Sequence, residues 1–91
     1  MKGAEVTVVI PQQLRSYTDG ARDVRATGAT VDAALTHLDQ RFPGIRFRVV
    51  DEQNRIRQHM RIFVDGERVT EVGARVKPQG EVHIFGALTG G

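Results

Sequence analysis

Residues 30–44 read TVDAALTHLDQRFPG, and this stretch decides the fold of the chain. Its apolar residues recur at the spacing of one helical face: Val31, Ala34, Leu35, Leu38 and Phe42. Thr30 is suited to capping the first turn, and Pro43 with Gly44 ends the helix. The stretch therefore predicts an amphipathic helix of about a dozen residues that lies across one face of a sheet.

A β-hairpin is predicted before this helix. Residues 5–10 alternate apolar β-branched side chains with period 2, and Pro11 ends that strand. A polar loop follows. The second strand, residues 23–27, turns Val24 and Ala26 inward.

A second hairpin and a final strand are predicted after the helix. Residues 60–64 form a strand, and a tight turn connects it to a short strand at residues 67–69. The last strand spans residues 81–85 and turns Phe85 to the face opposite Ile84.

Residues 45–50 are ambiguous. Ile45, Phe47 and Val49 alternate with arginines, which favours a strand, but no turn signal separates this run from the end of the helix.

The order of these elements is strand, strand, helix, strand, short strand, strand. It predicts an α+β protein of the β-grasp (ubiquitin-like) type, with a mixed sheet of 4–5 strands and one main helix across one face. The first and last strands are apolar enough to lie centrally. We expect residues 1–85 to form the domain and residues 86–91 to form a flexible tail.

Length and composition exclude several classes of protein. The chain has 91 residues and no cysteine, so it holds one domain without disulfides, thiol nucleophiles or cysteine-based zinc sites. No apolar run approaches the roughly 20 residues of a membrane span, and no signal peptide is predicted. We expect a small cytoplasmic module without membrane contact.

The basic pI of about 9.7 is an arginine effect. The net charge of +2 comes from residues 46–68, where six arginines face four acids. Nucleic-acid binding is disfavoured, because this surplus is small and one tyrosine with no tryptophan offers little base stacking.

Catalysis by the chain itself is not predicted. Ser16 is the only serine, and no local signature joins it to His37, His59 or His83. The off-stripe position of His37 favours a solvated side chain. The spacing of the histidines offers no third metal ligand, so we expect neither a metal nor a cofactor.

The end of the sequence is the strongest functional signal. Residues 86–91 read GALTGG, carry no side-chain charge and extend to roughly 20 Å. Gly90 and Gly91 leave the terminal carboxylate unhindered and can thread a narrow channel. A frayed terminus is the alternative interpretation of a glycine-rich end.

The motifs together resemble the ubiquitin-like sulfur carriers of the MoaD/ThiS family, and most of all the longer carriers that include those of cysteine biosynthesis. The similarity covers nearly the whole chain. It is carried by Pro11, Leu14-Arg15, Gly28-Ala29-Thr30-Val31, Arg41-Phe42-Pro43-Gly44, Phe63-Val64-Asp65-Gly66-Glu67, Gly80-Glu81-Val82 and Gly90-Gly91. The resemblance also implies a short helical turn at residues 45–50, against the alternation.

This resemblance implies a non-catalytic carrier. An E1-like ATP-dependent enzyme would adenylate Gly91, a thiocarboxylate would form there, and a sulfur-acceptor synthase or sulfur-transfer enzyme would receive the sulfur. Phe85, Gly86 and Leu88 would contact the partners, with Val69 a weaker candidate for the same patch. The acceptor could be cysteine, molybdopterin, thiamin or a secondary metabolite. Two alternatives are a modifier conjugated to lysines through its diglycine and a binding domain with an inert tail.

Overall fold

The computed structural model describes residues 5–86. Its five strands are β1 (Glu5–Val9), β2 (Asp23–Thr27), β3 (Met60–Val64), β4 (Glu67–Val69) and β5 (Glu81–Gly86). They form one mixed sheet in the order β2-β1-β5-β3-β4, in which β1 and β5 are parallel and the other neighbours are antiparallel. The first and last strands therefore lie inside the sheet, as predicted.

Helix α1 (Val31–Arg41) lies across one face of this sheet and begins where the sequence predicted. The Oγ1 atom of Thr30 accepts a hydrogen bond from the backbone N–H of Ala33 at 3.1 Å, which satisfies one of the free donors of the first turn. The apolar stripe of the helix is fully buried, namely Val31, Ala34, Leu35 and Leu38.

The core fills the space between α1 and the inner face of the sheet. Register places one set of strand residues on that face, and all of them are buried: Val6, Val8, Val24, Ala26, Ile62, Val82 and Ile84. The helix on one face of a mixed sheet is the β-grasp arrangement that the sequence predicted. Within residues 5–86 no helix is long and apolar enough to cross a membrane.

Close packing of α1 on the sheet depends on Gly28. A Cβ atom at this position would collide with the backbone nitrogen of Ala34 and would lie 2.8 Å from the backbone carbon of Ala33. The absence of a side chain therefore sets how near the helix lies to the end of β2.

The ambiguous segment forms a second short helix, α2 (Ile45–Val49), so the alternation that favoured a strand was misleading. Ile45 and Val49 are four residues apart and both are buried, which is one helical face. The Oδ1 atom of Asp39 accepts hydrogen bonds at 3.0 Å from the backbone N–H groups of Gly44 and Arg46, which ties α1 to the start of α2.

The segment predicted as a polar loop after β1 contains a 3₁₀ helix, Gln12–Thr18. Leu14 and Thr18 are buried in it, and the Thr18 hydroxyl donates to the carbonyl oxygen of Ala21 at 2.8 Å. One buried leucine among polar neighbours leaves too weak a periodicity for prediction.

Asp51 organises the loop between α2 and β3. Its Oδ1 atom accepts hydrogen bonds from the backbone N–H groups of Gln53 at 2.9 Å and Arg55 at 3.0 Å. The bond from Arg55 is the main cause of a pKa of Asp51 below its ordinary value, because it favours the ionised carboxylate.

Candidate functional site

An exposed aromatic surface lies on the outer face of the sheet, opposite α1. Phe85 is 45% exposed, its ring stacks on His83 with centroids 4.0 Å apart, and it meets the edge of Phe63 at 5.3 Å. We call these three residues the aromatic patch. An exposed phenylalanine held by two other rings is a preorganised apolar contact, which is typical of the centre of a protein–protein interface.

Strand alternation creates this patch. Val82 and Ile84 point into the core beneath α1, so the intervening His83 and the following Phe85 must point outward. This is the orientation that the sequence predicted. Phe63 joins them because it pairs with His83 across the antiparallel strands β3 and β5.

Arginines border the patch on its β3 and β4 side. Arg61 lies directly opposite Phe85, and Arg68 lies directly opposite Phe63. Both arginines are exposed. The patch is therefore an apolar centre with a cationic edge.

Gly86 is the last residue of β5 and the last residue that the structure describes. It pairs with Met60 at the end of β5, one residue beyond the strand end predicted from the sequence. The side-chain amide of Gln13 occupies the space that a Cβ atom of Gly86 would need. The last described residue therefore lies directly after Phe85 of the aromatic patch.

Three of the predicted functional residues, Leu88, Gly90 and Gly91, lie outside the described residues. Their roles stay predictions. The structure brings together the other two residues of the predicted tail contact, Phe85 and Gly86, because they are neighbours in β5.

Val69 does not share the surface of Phe85. It pairs with Ile62, which is fully buried on the inner face, and Val69 packs against the same core. The resemblance implied Val69 as a weaker candidate for the patch of Phe85, and β4, with three residues, is too short for alternation to fix the face of Val69.

The histidines have structural positions and do not form a catalytic cluster. His37 is half-buried and its Nδ1 atom accepts the backbone N–H of Thr27 at 3.0 Å, which corrects the expectation of a solvated side chain. His59 is exposed in the turn before β3, and His83 belongs to the aromatic patch. Among residues 5–86 no three histidine, aspartate or glutamate side chains are arranged to hold a metal ion.

One surface residue was missed by sequence reasoning. Phe47 is 54% exposed, and the guanidinium of Arg57 lies over its ring at 4.4 Å from the centroid. Alternation grouped Phe47 with Ile45 and Val49, whereas the helix turns it away from both. The four-residue spacing of Ile45 and Val49 also matches one face of a helix, and a helix predicted on that spacing would have placed Phe47 on the solvent side.

The described part of the site is an exposed aromatic surface with a cationic edge, next to Gly86. The family model described as "ThiS family" matches residues 8–91. The sulfur carrier protein CysO of Mycobacterium tuberculosis is 32% identical over 91 residues, covering 94% of this chain and 98% of that protein.

Three solved structures are similar to this chain over most of its length. The crystal structure of M. tuberculosis CysO is similar with a TM-score of 0.85 at 30% identity, covering 90% of this chain and 98% of that one. A chain of the Amycolatopsis orientalis BexX/CysO complex gives 0.87 at 35% identity, covering 94% and 99%. Small archaeal modifier protein 1 of Haloferax volcanii gives 0.78 at 25% identity, covering 93% and 99%.

Proposed function

This chain belongs to the ThiS family, as its motifs predicted, and from that membership we propose that it is a sulfur carrier protein whose reactive group is the terminal carboxylate of Gly91. The observation that carries the proposal is the likeness to CysO of M. tuberculosis along nearly the full length of both chains. The family match extends to residue 91, so it includes the diglycine on which the proposal depends.

The proposed chemistry begins with activation, because a carboxylate is a poor acyl donor. An oxygen of the Gly91 carboxylate attacks the α-phosphorus of ATP on an E1-like enzyme, and pyrophosphate leaves. A sulfide sulfur then forms a bond to the acyl carbon as the bond to AMP breaks. The product is a thiocarboxylate; its sulfur forms a bond to the acceptor, and water then breaks the bond between that sulfur and the acyl carbon, which returns the Gly91 carboxylate.

In this scheme the chain positions the Gly91 carboxylate, and the partner enzymes catalyse the reactions. Phe85 and Gly86 contact the activating enzyme, and Leu88 continues that contact along the tail. Six residues from Gly86 to Gly91 reach about 20 Å, enough to place the carboxylate in an active site while the domain stays outside it. Val69 packs against the core but also lines the cavity beside Arg61 and Arg68, so it is the weaker candidate for this contact.

A second protein is needed at each step. The A. orientalis relative was solved as a complex with BexX, so a similar chain assembles with another protein. We infer an E1-like activating enzyme and a sulfur-transfer or sulfur-acceptor enzyme as partners. Because the reaction needs ATP and a reduced sulfur donor, we place it in the cytoplasm.

Mass spectrometry of the intact protein from its native host tests the proposal. A fraction of the protein should be heavier by the exchange of one oxygen for one sulfur, and fragmentation should place that sulfur on Gly91. A variant with one alanine appended after Gly91 is the control, because it keeps the domain and displaces the reactive carboxylate. Sulfur transfer by that variant would show that Gly91 is not the carrier group.

The similarity to an archaeal modifier protein supports one alternative to the carrier function, namely conjugation of the chain to lysines of other proteins. The same experiment separates the two. Conjugates carrying a Gly91 isopeptide bond, without any thiocarboxylate, would replace the carrier function with modification.

A further inference from the structure

A second surface adjoins the aromatic patch at Arg61 and Arg68. It is lined by Phe47, Arg48, Arg57, His59, Arg61 and Arg68, and we call it the arginine groove. Two adjoining cavities of about 320 and 310 Å³ form it, and both include Arg57 and Met60. It is open to solvent and no carboxylate of the described residues lines it.

The groove is held in shape before any partner binds. The Nε atom of Arg57 donates to the carbonyl oxygen of Phe47 at 2.7 Å, and its guanidinium stacks on the Phe47 ring. The Nη1 atom of Arg61 donates to the carbonyl oxygens of Gln58 at 2.7 Å and Met60 at 3.0 Å. These side chains lose little further freedom on binding, which favours association.

The Asp51 carboxylate lies near Arg57, but no salt bridge of the described residues pairs an arginine of the groove with a carboxylate. Within residues 5–86 the salt bridges join Arg22, Arg25, Arg46 and Arg55 to carboxylates. None of them involves the four arginines of the groove. Those four cations on one surface create a positive potential that attracts an anionic partner.

The groove also adjoins the tail and the aromatic patch. Met60 lies in the floor of both cavities and pairs with Gly86, and Gln13 lines the groove while packing against Gly86. Arg61 lies opposite Phe85 and belongs to both surfaces. An enzyme that covers Phe85 and takes the tail must therefore face the arginine groove.

We propose that the arginine groove docks an acidic segment of the enzyme that receives the tail, with carboxylates on its arginines and an apolar side chain on Phe47. This proposal rests on the proposed function for the identity of the partner. It adds that the entrance of the partner's tail channel is acidic on one side. The chain thus offers an apolar contact, the aromatic patch, and an adjoining charged contact, the arginine groove.

A blocked peptide of glutamates with interspersed leucines serves as the probe, and the same peptide with glutamine in place of glutamate is its control. Each is titrated into the ¹⁵N-labelled full chain, and amide shifts are followed by NMR. The acidic peptide should shift the amides of Phe47, Arg48, Arg57, His59 and Arg61. Added salt should weaken the binding, since the Debye length falls from about 10 Å at 0.1 M to about 3 Å at 1 M.

Two charge-matched double variants locate the site. Arg48→Glu with Arg68→Glu alters the groove, and Arg75→Glu with Lys77→Glu alters a different cavity, which Val64, Asp65 and Glu67 also line. Each pair lowers the net charge from +2 to −2. No side-chain hydrogen bond or salt bridge is described for any of the four residues, so both variants keep the fold; amide dispersion checks this.

We expect the groove variant to bind the acidic peptide about tenfold more weakly than the unaltered chain, and the control variant to bind within about twofold of it. Equal weakening in both variants, or shifts outside the groove, would overturn the proposal. A single-stranded oligonucleotide that binds the groove more tightly than the peptide would also overturn it. The titration uses no sulfur chemistry, so its failure is distinct from an absent thiocarboxylate, which would reject the proposed function.

Discussion

His83 lies flat against Phe85 on the outer face of the sheet, with ring centroids 4.0 Å apart and ring planes 13° apart. The two residues are neighbours on one face of β5, and Phe63 supports Phe85 from β3 with its ring at 87°. This contact holds the Phe85 ring in place while leaving nearly half of it open to a partner. The Phe85 ring is therefore in contact with two other rings, and its exposed apolar area is available for binding.

Replacing Phe85 separates binding from folding. Phe85→Ser should raise the KM for activation by the E1-like enzyme about tenfold, as expected for the loss of an interface hot spot. The melting temperature should fall by about 4 °C or less, because the ring is half-exposed. Phe85→Tyr, which keeps the ring, should retain activation. An unchanged KM in the serine variant would remove Phe85 from the docking surface.

Gly28 sets the distance between α1 and the sheet, so Gly28→Ala should destabilise the domain by about 1–3 kcal/mol through overpacking. Gly73→Ala is the matched control, because a Cβ atom there meets nothing within 4 Å. It should change the free energy of unfolding by about 0.5 kcal/mol or less. Urea denaturation of both variants measures the difference, and similar values for the two would contradict the predicted collision.

Thr30 caps α1 through a single hydrogen bond to Ala33. Thr30→Ala should therefore lower the free energy of unfolding by about 1 kcal/mol. Thr36→Ala makes the same chemical change at an exposed position inside the helix, where alanine is the better helix former. Thermal unfolding should show a loss of stability only in the first variant; a loss in both would mean that the cap is not what Thr30 contributes.

Asp51 should give the domain an acid-sensitive loop. Folding lowers the pKa of this carboxylate, so the stabilisation is complete above its ordinary value of 3.8 and is lost as the pH falls through the lower folded-state pKa. NMR titration of the side-chain carboxyl should find this lowered pKa. Asp51→Asn should remove that part of the pH dependence of unfolding, and an unchanged pH profile would contradict it.

The periodic elements were predictable because their signals are local. The stripe from Val31 to Leu38 fixed α1, and alternation in β5 placed Ile84 inside and Phe85 outside. The same signals supplied the order of the strands along the chain. These features depend on spacing within one segment, so they are readable without knowledge of the rest of the molecule.

Short segments were less predictable. Ile45 and Val49 satisfy both a two-residue and a four-residue repeat, and only packing against the core selected the helix that exposes Phe47. His37 was expected in solvent, but the approach of β2 brings the backbone of Thr27 to its Nδ1 atom. In both cases a contact distant in sequence overrode a weak local preference.

The sequence by itself determined the α+β architecture, the outward direction of Phe85 and the diglycine end that identifies the proposed carrier group. The tertiary structure decided which surfaces lie next to Gly86. In the folded chain Val69 packs against the core. The segments around Gln13, Phe47 and Arg57 line one groove beside Gly86. The physical reason is range: periodicity acts along a few residues, whereas a surface is assembled by sheet register and helix packing from segments far apart in the chain.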